Sequence, residues 1–276
     1  MVVLTWWWTF RGALLDFISA GEASLISWEL ITIFHQYGQP LWILTAYSVL
    51  VLKLYKYRWE ATACPYSHIL SVLKGVISCK HAAARILAQF VGGSVAYRWL
   101  GLIWDLGLTP IHVARSYWTS YGTCQSWLAV PVSFGFMFEF TGALISGVFT
   151  TLIFDYELVV NLSVHARIFL SSGVTMVLVV ISFHHTGGFF QPLLAFARTF
   201  GCIGVLREVS ILDHIIVYWL GATLGAIVAM YLAQLLKKLI SNCKTSKKKI
   251  GLRHYKLQGA HGSEEEDVLF EHVQIE

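Results

Sequence analysis

Charged residues are scarce in this chain, and so are prolines and cysteines. Only 13% of its 276 residues are charged and 56% are hydrophobic, whereas soluble domains usually carry about a quarter charged residues. The mean hydropathy is +0.62. This composition excludes an ordinary water-soluble domain and predicts a membrane protein. Residues 1–236 provide enough length for about six helices of roughly 20 residues, the length that crosses a bilayer.

The charges that are present concentrate near the C-terminus. Eight of the 20 Lys and Arg residues lie between Lys237 and Lys256, and four of the 16 acids lie between Glu264 and Asp267. We therefore predict a transmembrane domain over 1–238 and a flexible cytoplasmic tail over 239–276. Basic clusters next to a membrane span attract anionic headgroups, so membrane lipids are an expected partner.

The five cysteines form no recognisable pattern. They show no Cys-x-x-Cys pair and no Cys/His metal-ligand spacing. An odd number of irregularly spaced cysteines does not suggest a disulfide framework. We also find no nucleophile–base pair, no Gly-rich phosphate loop and no paired carboxylates. The sequence therefore predicts neither an enzyme nor a cofactor, metal site or nucleic-acid partner.

Six apolar stretches are long enough to cross a bilayer. They cover residues 12–34, 41–57, 82–104, 128–154, 164–183 and 211–236. Basic residues cluster after the second and the sixth stretch, so the positive-inside rule places both termini in the cytoplasm. Arg198 and Arg207 lie on the opposite side and weaken this asymmetry.

Two of the five prolines interrupt apolar sequence in the same way, one in each half of the chain. The motifs are Cys-Pro-Tyr at Cys64–Tyr66 and Gln-Pro-Leu at Gln191–Leu193. Pro65 and Pro192 suit the first position of a helix, where the missing N–H costs nothing. Each following helical run is too short to span a bilayer. Such a matched pair indicates a transport site between inverted repeats.

Short helices that start at mid-membrane have a specific electrostatic consequence. Their unpaired N–H groups and positive dipole ends point into the bilayer centre, where lipid cannot satisfy them. Where two such helix ends face each other, they form a narrow constriction that repels cations and offers hydrogen bonds to neutral solutes. The motifs therefore predict a passage for small uncharged molecules.

This arrangement resembles the aquaporin fold, which has Asn-Pro-Ala at both motifs. Thr186 and Gly187 before the second motif, and Glu139 in the fourth stretch, also match that family. The resemblance covers about residues 12–238. It implies an all-α membrane protein with six transmembrane helices and two re-entrant half-helices, arranged as an inverted repeat.

Three further features resemble the unorthodox, intracellular subgroup of aquaporins, the superaquaporins. Cys202 falls eleven residues after Gln191, the string Val217–Gly221 opens the last stretch, and Trp104–Leu108 precedes His112. This likeness implies a homotetramer in an intracellular membrane such as the endoplasmic reticulum, with the plasma membrane as the other location. It also implies that Cys202 is a packing or assembly residue.

The resemblance assigns roles to several side chains. The narrow filter of the family maps to Leu44, Val179, Gly188 and Leu194. The filter arginine of the family would fall at Leu194, so its charge is absent. Buried acids that hold the half-helix loops correspond to Glu139 and Asp16, although Glu29 competes with Asp16 for this role.

The departures from the family pattern leave two functions open. Cys64 has only a weak S–H donor, and the Gln191 carboxamide is one methylene longer than that of asparagine. The first function is a passive channel for water, glycerol or hydrogen peroxide. The alternative is a non-conducting membrane scaffold or organelle-homeostasis protein that kept the fold. An ion-coupled transporter is disfavoured, because Glu60 is the only Asp, Glu or Lys near either motif.

Overall fold

The computed structural model is almost entirely helical. It describes residues 2–57, 60–120, 125–155, 162–200, 202–204 and 209–242. In chain order the described elements are α1 (Val2–Tyr37), α2 (Gln39–Tyr57), α3 (Pro65–Leu73), α4 (Cys79–Asp105), α5 (Pro110–Ser120), β1 (Gln125–Ser126), α6 (Val132–Asp155), α7 (Val164–Thr186), α8 (Pro192–Thr199), β2 (Ile203–Gly204) and α9 (Ile211–Asn242).

Five of the described helices are long and apolar enough to cross a membrane. They are α1 from Phe10 onward, α4, α6 as far as Phe154, α7 and α9. These helices coincide with the first, third, fourth, fifth and sixth stretches predicted from sequence. The second stretch also forms a helix, α2, of 19 residues. Helix α2 is not among these five helices, because Lys53, Lys56 and several polar residues lower its mean hydropathy.

Two helix pairs approach each other so closely that only glycine fits between them. A Cβ atom on Gly92 of α4 would overlap the carbonyl oxygen of Phe17 in α1. In the same way, a Cβ atom on Gly225 of α9 would overlap the carbonyl oxygen of Phe140 in α6. Small residues permit this close backbone packing between membrane helices. The pairs α1–α4 and α6–α9 are therefore built alike.

A buried apolar cluster joins α1, α2 and α7. Its buried members are Ile31, Trp42, Ala46, Met176 and Phe183. The ring of Phe183 lies 4.3 Å from that of Trp42 and 4.9 Å from that of Phe34, measured between centroids. Aromatic contacts of this kind add to the burial energy. The cluster fixes the end of α7, from which the chain enters the second proline motif.

The first turns of α9 are unusual. A capping box starts the helix, in which the Ser210 hydroxyl accepts from Asp213 N–H and the Asp213 carboxylate accepts from Ser210 N–H. The next segment, Ile215–Gly221, is π-helical. Within it, the Tyr218 hydroxyl donates to the carbonyl of Thr186 at 2.9 Å. The wide turn thus connects α9 to the end of α7.

Two short strands link distant connections. Strand β1 precedes α6, strand β2 follows α8, and they pair in parallel with Gln125 opposite Ile203 and Ser126 opposite Gly204. This pairing attaches the chain beyond α8 to the segment before α6.

The chain divides into two units, Met1–Tyr231 and Leu232–Glu276. The second unit is described from Leu232 to Asn242, where it is helical. The cytoplasmic tail predicted for 239–276 thus begins within α9, and its part from 243 onward lies outside the described residues.

Candidate functional site

The first proline motif starts α3. Cys64 has an extended backbone, with φ −135° and ψ 107°, and Pro65 occupies the first turn of the helix. The Cys64 side chain accepts no capping hydrogen bond from the described residues. The Ser67 hydroxyl donates to the Cys64 carbonyl at 2.5 Å. Proline and a serine side chain therefore stabilise this helix start, and the residue at the asparagine position does not.

The second motif has the same backbone geometry. Gln191 is extended, with φ −157° and ψ 143°, and Pro192 begins α8. The Gln191 side chain also makes no capping bond within the described chain. Its Oε1 atom is buried and finds no hydrogen-bond partner among the described residues. A buried unpaired acceptor is costly, and such groups often mark a functional position.

A buried carboxylate holds the loop before the first motif. Asp16 of α1 is fully buried, and it accepts from the Thr62 backbone N–H at 2.8 Å and from Arg85 Nε at 2.5 Å. Its Oδ2 atom also lies 2.9 Å from Nε2 of His68. The sequence predicts this role for Asp16 but not for Arg85 or His68, because nothing in their spacing links them to α1.

A second buried carboxylate holds the loop before the second motif. Glu139 of α6 is fully buried. It accepts from the Thr186 hydroxyl at 2.6 Å and from the backbone N–H groups of Phe190 and Phe189 at 2.6 and 3.3 Å. These are charge-assisted hydrogen bonds, which are stronger than neutral ones.

The two loops are held at equivalent positions. Thr62 lies two residues before Cys64, and Phe189 lies two residues before Gln191. In each half the acid is followed by a phenylalanine, whose carbonyl faces the close-packing glycine described above. The same set of parts therefore occurs twice in the chain. Each set contains a buried acid, the loop that it holds, a short helix that starts with proline, and a long helix that carries the close-packing glycine.

Comparison with known proteins agrees with this duplicated architecture. No family model matches the chain. It is 25% identical over 237 residues to "Aquaporin-11" of Milnesium tardigradum, covering 86% of this chain and 81% of that protein. It is 26% identical to "Aquaporin-11" of Equus caballus, covering 85% and 82% of the two chains. It is also 26% identical to "Putative aquaporin-12A" of Homo sapiens, covering 63% and 55%.

Over most of its length this chain is similar to aquaporins. This similarity and the apolar helices support an integral membrane protein that is not an enzyme. Its named relatives, aquaporin-11 and aquaporin-12, form the superaquaporin subgroup that the Cys202 spacing and the Val217–Gly221 string resemble.

The four positions to which the family resemblance assigns a filter are only partly neighbours. A Cβ atom on Gly188 would lie 2.9 Å from the carbonyl oxygen of Val179, so these two residues adjoin. Leu194 lies half-buried in the first turn of α8. Leu44 lies on α2 and is 61% exposed. Val179 and Gly188 thus lie together, whereas Leu44 presents most of its surface outward.

Tyr66, the last residue of the first motif, reaches the second half of the chain. Its ring packs against a buried cluster formed by Ala143 of α6, Phe190 of the second loop and Ala222 of α9. A side chain from the first motif therefore fills space between the two halves.

Arg198 of α8 is buried, although the sequence analysis treated it as a loop charge. It is 4% exposed, and its NH1 donates to the Ser27 carbonyl at 2.6 Å. Its guanidinium lies 4.5 Å from the Trp28 ring centroid and 5.5 Å from that of Trp127. Arginine over an aromatic face is stabilised by cation–π attraction.

Arg115 of α5 is buried in the same region. It is 4% exposed, and its NH1 donates to the Thr32 hydroxyl at 2.6 Å and to the Trp28 carbonyl at 3.1 Å. Arg115 and Arg198 are therefore packed inside the protein and do not act as solvated charges in loops.

Glu29 does not hold the first proline loop, the role for which the sequence made it an alternative to Asp16. Its carboxylate accepts from Trp104 Nε1 at 3.0 Å and lies 3.0 Å from Nε2 of His112. These partners belong to α4 and α5. Glu29 thus holds the end of α4 to α5, and its described contacts do not include the first proline loop.

The expectation about disulfides is wrong for Cys202. This residue is disulfide-bonded, and its partner lies outside the described residues. Cys64 and Cys79 are free thiols. The sequence does not predict this bond, because it depends on contacts between distant parts of the chain. Cys202 directly precedes β2, and β2 pairs with the distant strand β1. Beyond any role in packing, Cys202 thus forms a covalent link.

Proposed function

We propose that this protein is a passive channel for water and small uncharged solutes. The observation that carries the proposal is the pair of proline-started short helices, each held by a fully buried carboxylate. Helices α3 and α8 have nine and eight residues, too few to cross a hydrocarbon core of about 30 Å. In this proposal they are re-entrant half-helices of an inverted repeat, and the contact between α3 and α8 supports a position next to each other.

The selectivity follows from the charge pattern of such helix starts. Unpaired N–H groups and positive dipole ends oppose cations and donate to neutral solutes. The filter that we propose, Leu44, Val179, Gly188 and Leu194, has no side-chain donor. A filter of this composition discriminates weakly among small neutral molecules.

The proposed setting is an intracellular membrane such as the endoplasmic reticulum, with both termini in the cytoplasm. Two observations support this orientation. Arg115 and Arg198 lie between spans on the side opposite to the termini. Both are buried, so they count little in the charge asymmetry that the positive-inside rule uses. Disulfides persist in oxidising compartments such as the lumen of the endoplasmic reticulum. The disulfide-bonded Cys202 therefore supports a lumenal position for the segment after α8. By resemblance to its family, the chain assembles as a homotetramer.

One observation favours the alternative, a non-conducting scaffold. Neither Cys64 nor Gln191 makes a capping bond with the described residues, so the groups that stand at the asparagine positions are not fixed by their own helices.

Vesicle permeability separates the two functions. Purified protein is reconstituted, and osmotic light scattering measures water and glycerol fluxes while an enclosed peroxidase reporter measures hydrogen peroxide. A channel gives a flux above that of empty vesicles for at least one solute. Fluxes equal to those of empty vesicles for all three would favour the scaffold.

A further inference from the structure

Tyr66 occupies a position at which the family it resembles has alanine. The residue belongs to the first motif by sequence, yet its ring packs on a cluster whose buried members all come from the second half. Leu178 and Val179 of α7 pack against the same cluster. Val179 adjoins Gly188, so the Tyr66 ring lies in the region of two proposed filter residues.

Tyr66 therefore connects the first motif with the loop of the second. Phe190, a member of this cluster, donates its backbone N–H to Glu139, the acid that holds the second loop. The Tyr66 ring cannot move aside without breaking its contacts with this cluster.

The cluster on which Tyr66 packs is itself tightly shaped. Phe190 has a left-handed backbone, with φ +50°, which is uncommon for a bulky residue. A Cβ atom on Gly142 would overlap the Phe190 ring, so this ring fills a notch in α6. The next residue, Gln191, has its buried Oε1 atom without a partner in the described chain. Phe190, with its tightly fitted ring, and Gln191, with its unpaired Oε1 atom, are thus neighbours in the chain at the second motif.

We propose that Tyr66 is the residue that sets the size limit of the passage, admitting water and hydrogen peroxide and excluding glycerol. Packing of the ring on Ala143, Phe190 and Ala222 keeps it between the two halves. This inference rests on the proposed channel function, and it names the solute class of that channel.

A graded series of variants tests the size limit in the reconstituted full chain. Tyr66→Phe keeps the ring, Tyr66→Leu shortens the side chain, and Tyr66→Ala restores the small residue of the family. We expect glycerol flux to remain at the empty-vesicle level for the wild type and Tyr66→Phe. It should rise by about tenfold for Tyr66→Ala, the change produced by lowering a barrier by about 1.4 kcal/mol. Tyr66→Leu should fall between them, and it carries the test if Tyr66→Ala does not fold.

Tyr47→Ala is the matched control. Tyr47 packs on Phe169 and donates to the Phe169 carbonyl at 3.1 Å, away from both motifs. Loss of this tyrosine removes a similar ring and hydrogen bond, so it should leave glycerol flux at the wild-type level. A glycerol rise of equal size in Tyr47→Ala would overturn the inference, because the leak would then come from general loosening.

A thiol readout tests the same inference without solute flux. Cys79 is changed to serine, and labelling of Cys64 is read from its own peptide by mass spectrometry, so that the other cysteines do not contribute to the signal. A small methanethiosulfonate reagent should label Cys64 about ten times faster in Tyr66→Ala than with Tyr66 intact, again about 1.4 kcal/mol. Equal labelling rates would overturn the inference.

The outcomes for the inference and for the channel function are distinct. If the wild type conducts water and Tyr66→Ala or Tyr66→Leu admits glycerol, both stand. If the wild type conducts and neither variant admits glycerol, the inference fails and the channel remains. If the wild type conducts nothing and a variant conducts, the ring closes the passage and the channel function of the natural chain fails. If no protein conducts, both fail.

Discussion

Two fully buried carboxylates carry the hydrogen bonds of the proline loops. Each accepts at least one backbone N–H from the loop that precedes its motif. Backbone groups buried without a partner cost about 1–3 kcal/mol each. The acids therefore satisfy loops that the membrane interior would otherwise leave unpaired.

The residue-scale prediction concerns Glu139. Glu139→Gln should lower the free energy of unfolding by about 2–3 kcal/mol. Either orientation of the amide places its NH₂ group against a backbone N–H, of Phe189 or Phe190, that now donates to the carboxylate. Denaturant titration in mixed micelles measures the change.

Glu60→Gln is the control for this substitution. Glu60 pairs with Arg11, and the two side chains are 61% and 48% exposed. Exposed pairs contribute about 1 kcal/mol or less, so the control should unfold close to the wild type. Equal destabilisation by the two substitutions would contradict the role given to Glu139.

Single residues differed in how far the sequence could predict them. Pro65 and Pro192 were informative because the preference of proline for the first helical position is local. The contacts of Arg85 and Arg198 were not predictable, because each depends on which distant helix passes beside it. The same holds for Tyr66, whose position in the motif was evident but whose packing on the second half was not.

At the scale of elements, glycines determine how closely the helices pack. Gly92→Ala and Gly225→Ala should each lower the free energy of unfolding by about 1–3 kcal/mol, the usual cost of overpacking. In both cases the obstructing atom is a backbone carbonyl, which cannot turn away as a side chain can. Thermal unfolding in detergent provides the measurement.

Gly101→Ala is the control on the same helix as Gly92. A Cβ atom at Gly101 meets no described atom within 4 Å. Because alanine favours a helix over glycine by about 0.5–1 kcal/mol, this variant should be as stable as the wild type or slightly more stable. A loss of stability in Gly101→Ala equal to that in Gly92→Ala would refute the close-packing account.

The sequence located the apolar helices well and the irregular elements poorly. Hydrophobic runs extend over whole spans, so their positions agree with the structure while their ends differ by several residues. The π-helical segment Ile215–Gly221 and the strand pair β1–β2 arise from fit between distant parts of the chain. No local pattern marks either one.

At the scale of the whole molecule, two cysteines report on sidedness. Cys79 begins α4 and is exposed, whereas Cys202 follows α8 and is disulfide-bonded. Three apolar spans, α4, α6 and α7, separate the two residues. In the proposed topology these three crossings place the two residues on opposite sides of the membrane.

A membrane-impermeant maleimide tests this in sealed microsomes that expose their cytoplasmic face, with each labelled cysteine identified by peptide mass spectrometry. Cys79 should react directly, and Cys79→Ser should abolish that signal. Cys202 should react only after both permeabilisation and reduction. Reaction of Cys79 only after permeabilisation would reverse the proposed orientation, and reaction of Cys202 without a reductant would contradict the disulfide.

The strand pair and the disulfide also make the two half-helices unequal in rigidity. Helix α8 is anchored before its first turn by Glu139 and beyond its last turn by β2 and Cys202. Helix α3 is anchored at its start by Asp16, but it ends in an exposed turn at Lys74, Gly75 and Val76. Slow amide exchange is therefore expected in α8 and faster exchange at the end of α3. We expect local opening motions around the two motifs to arise mainly in the N-terminal half.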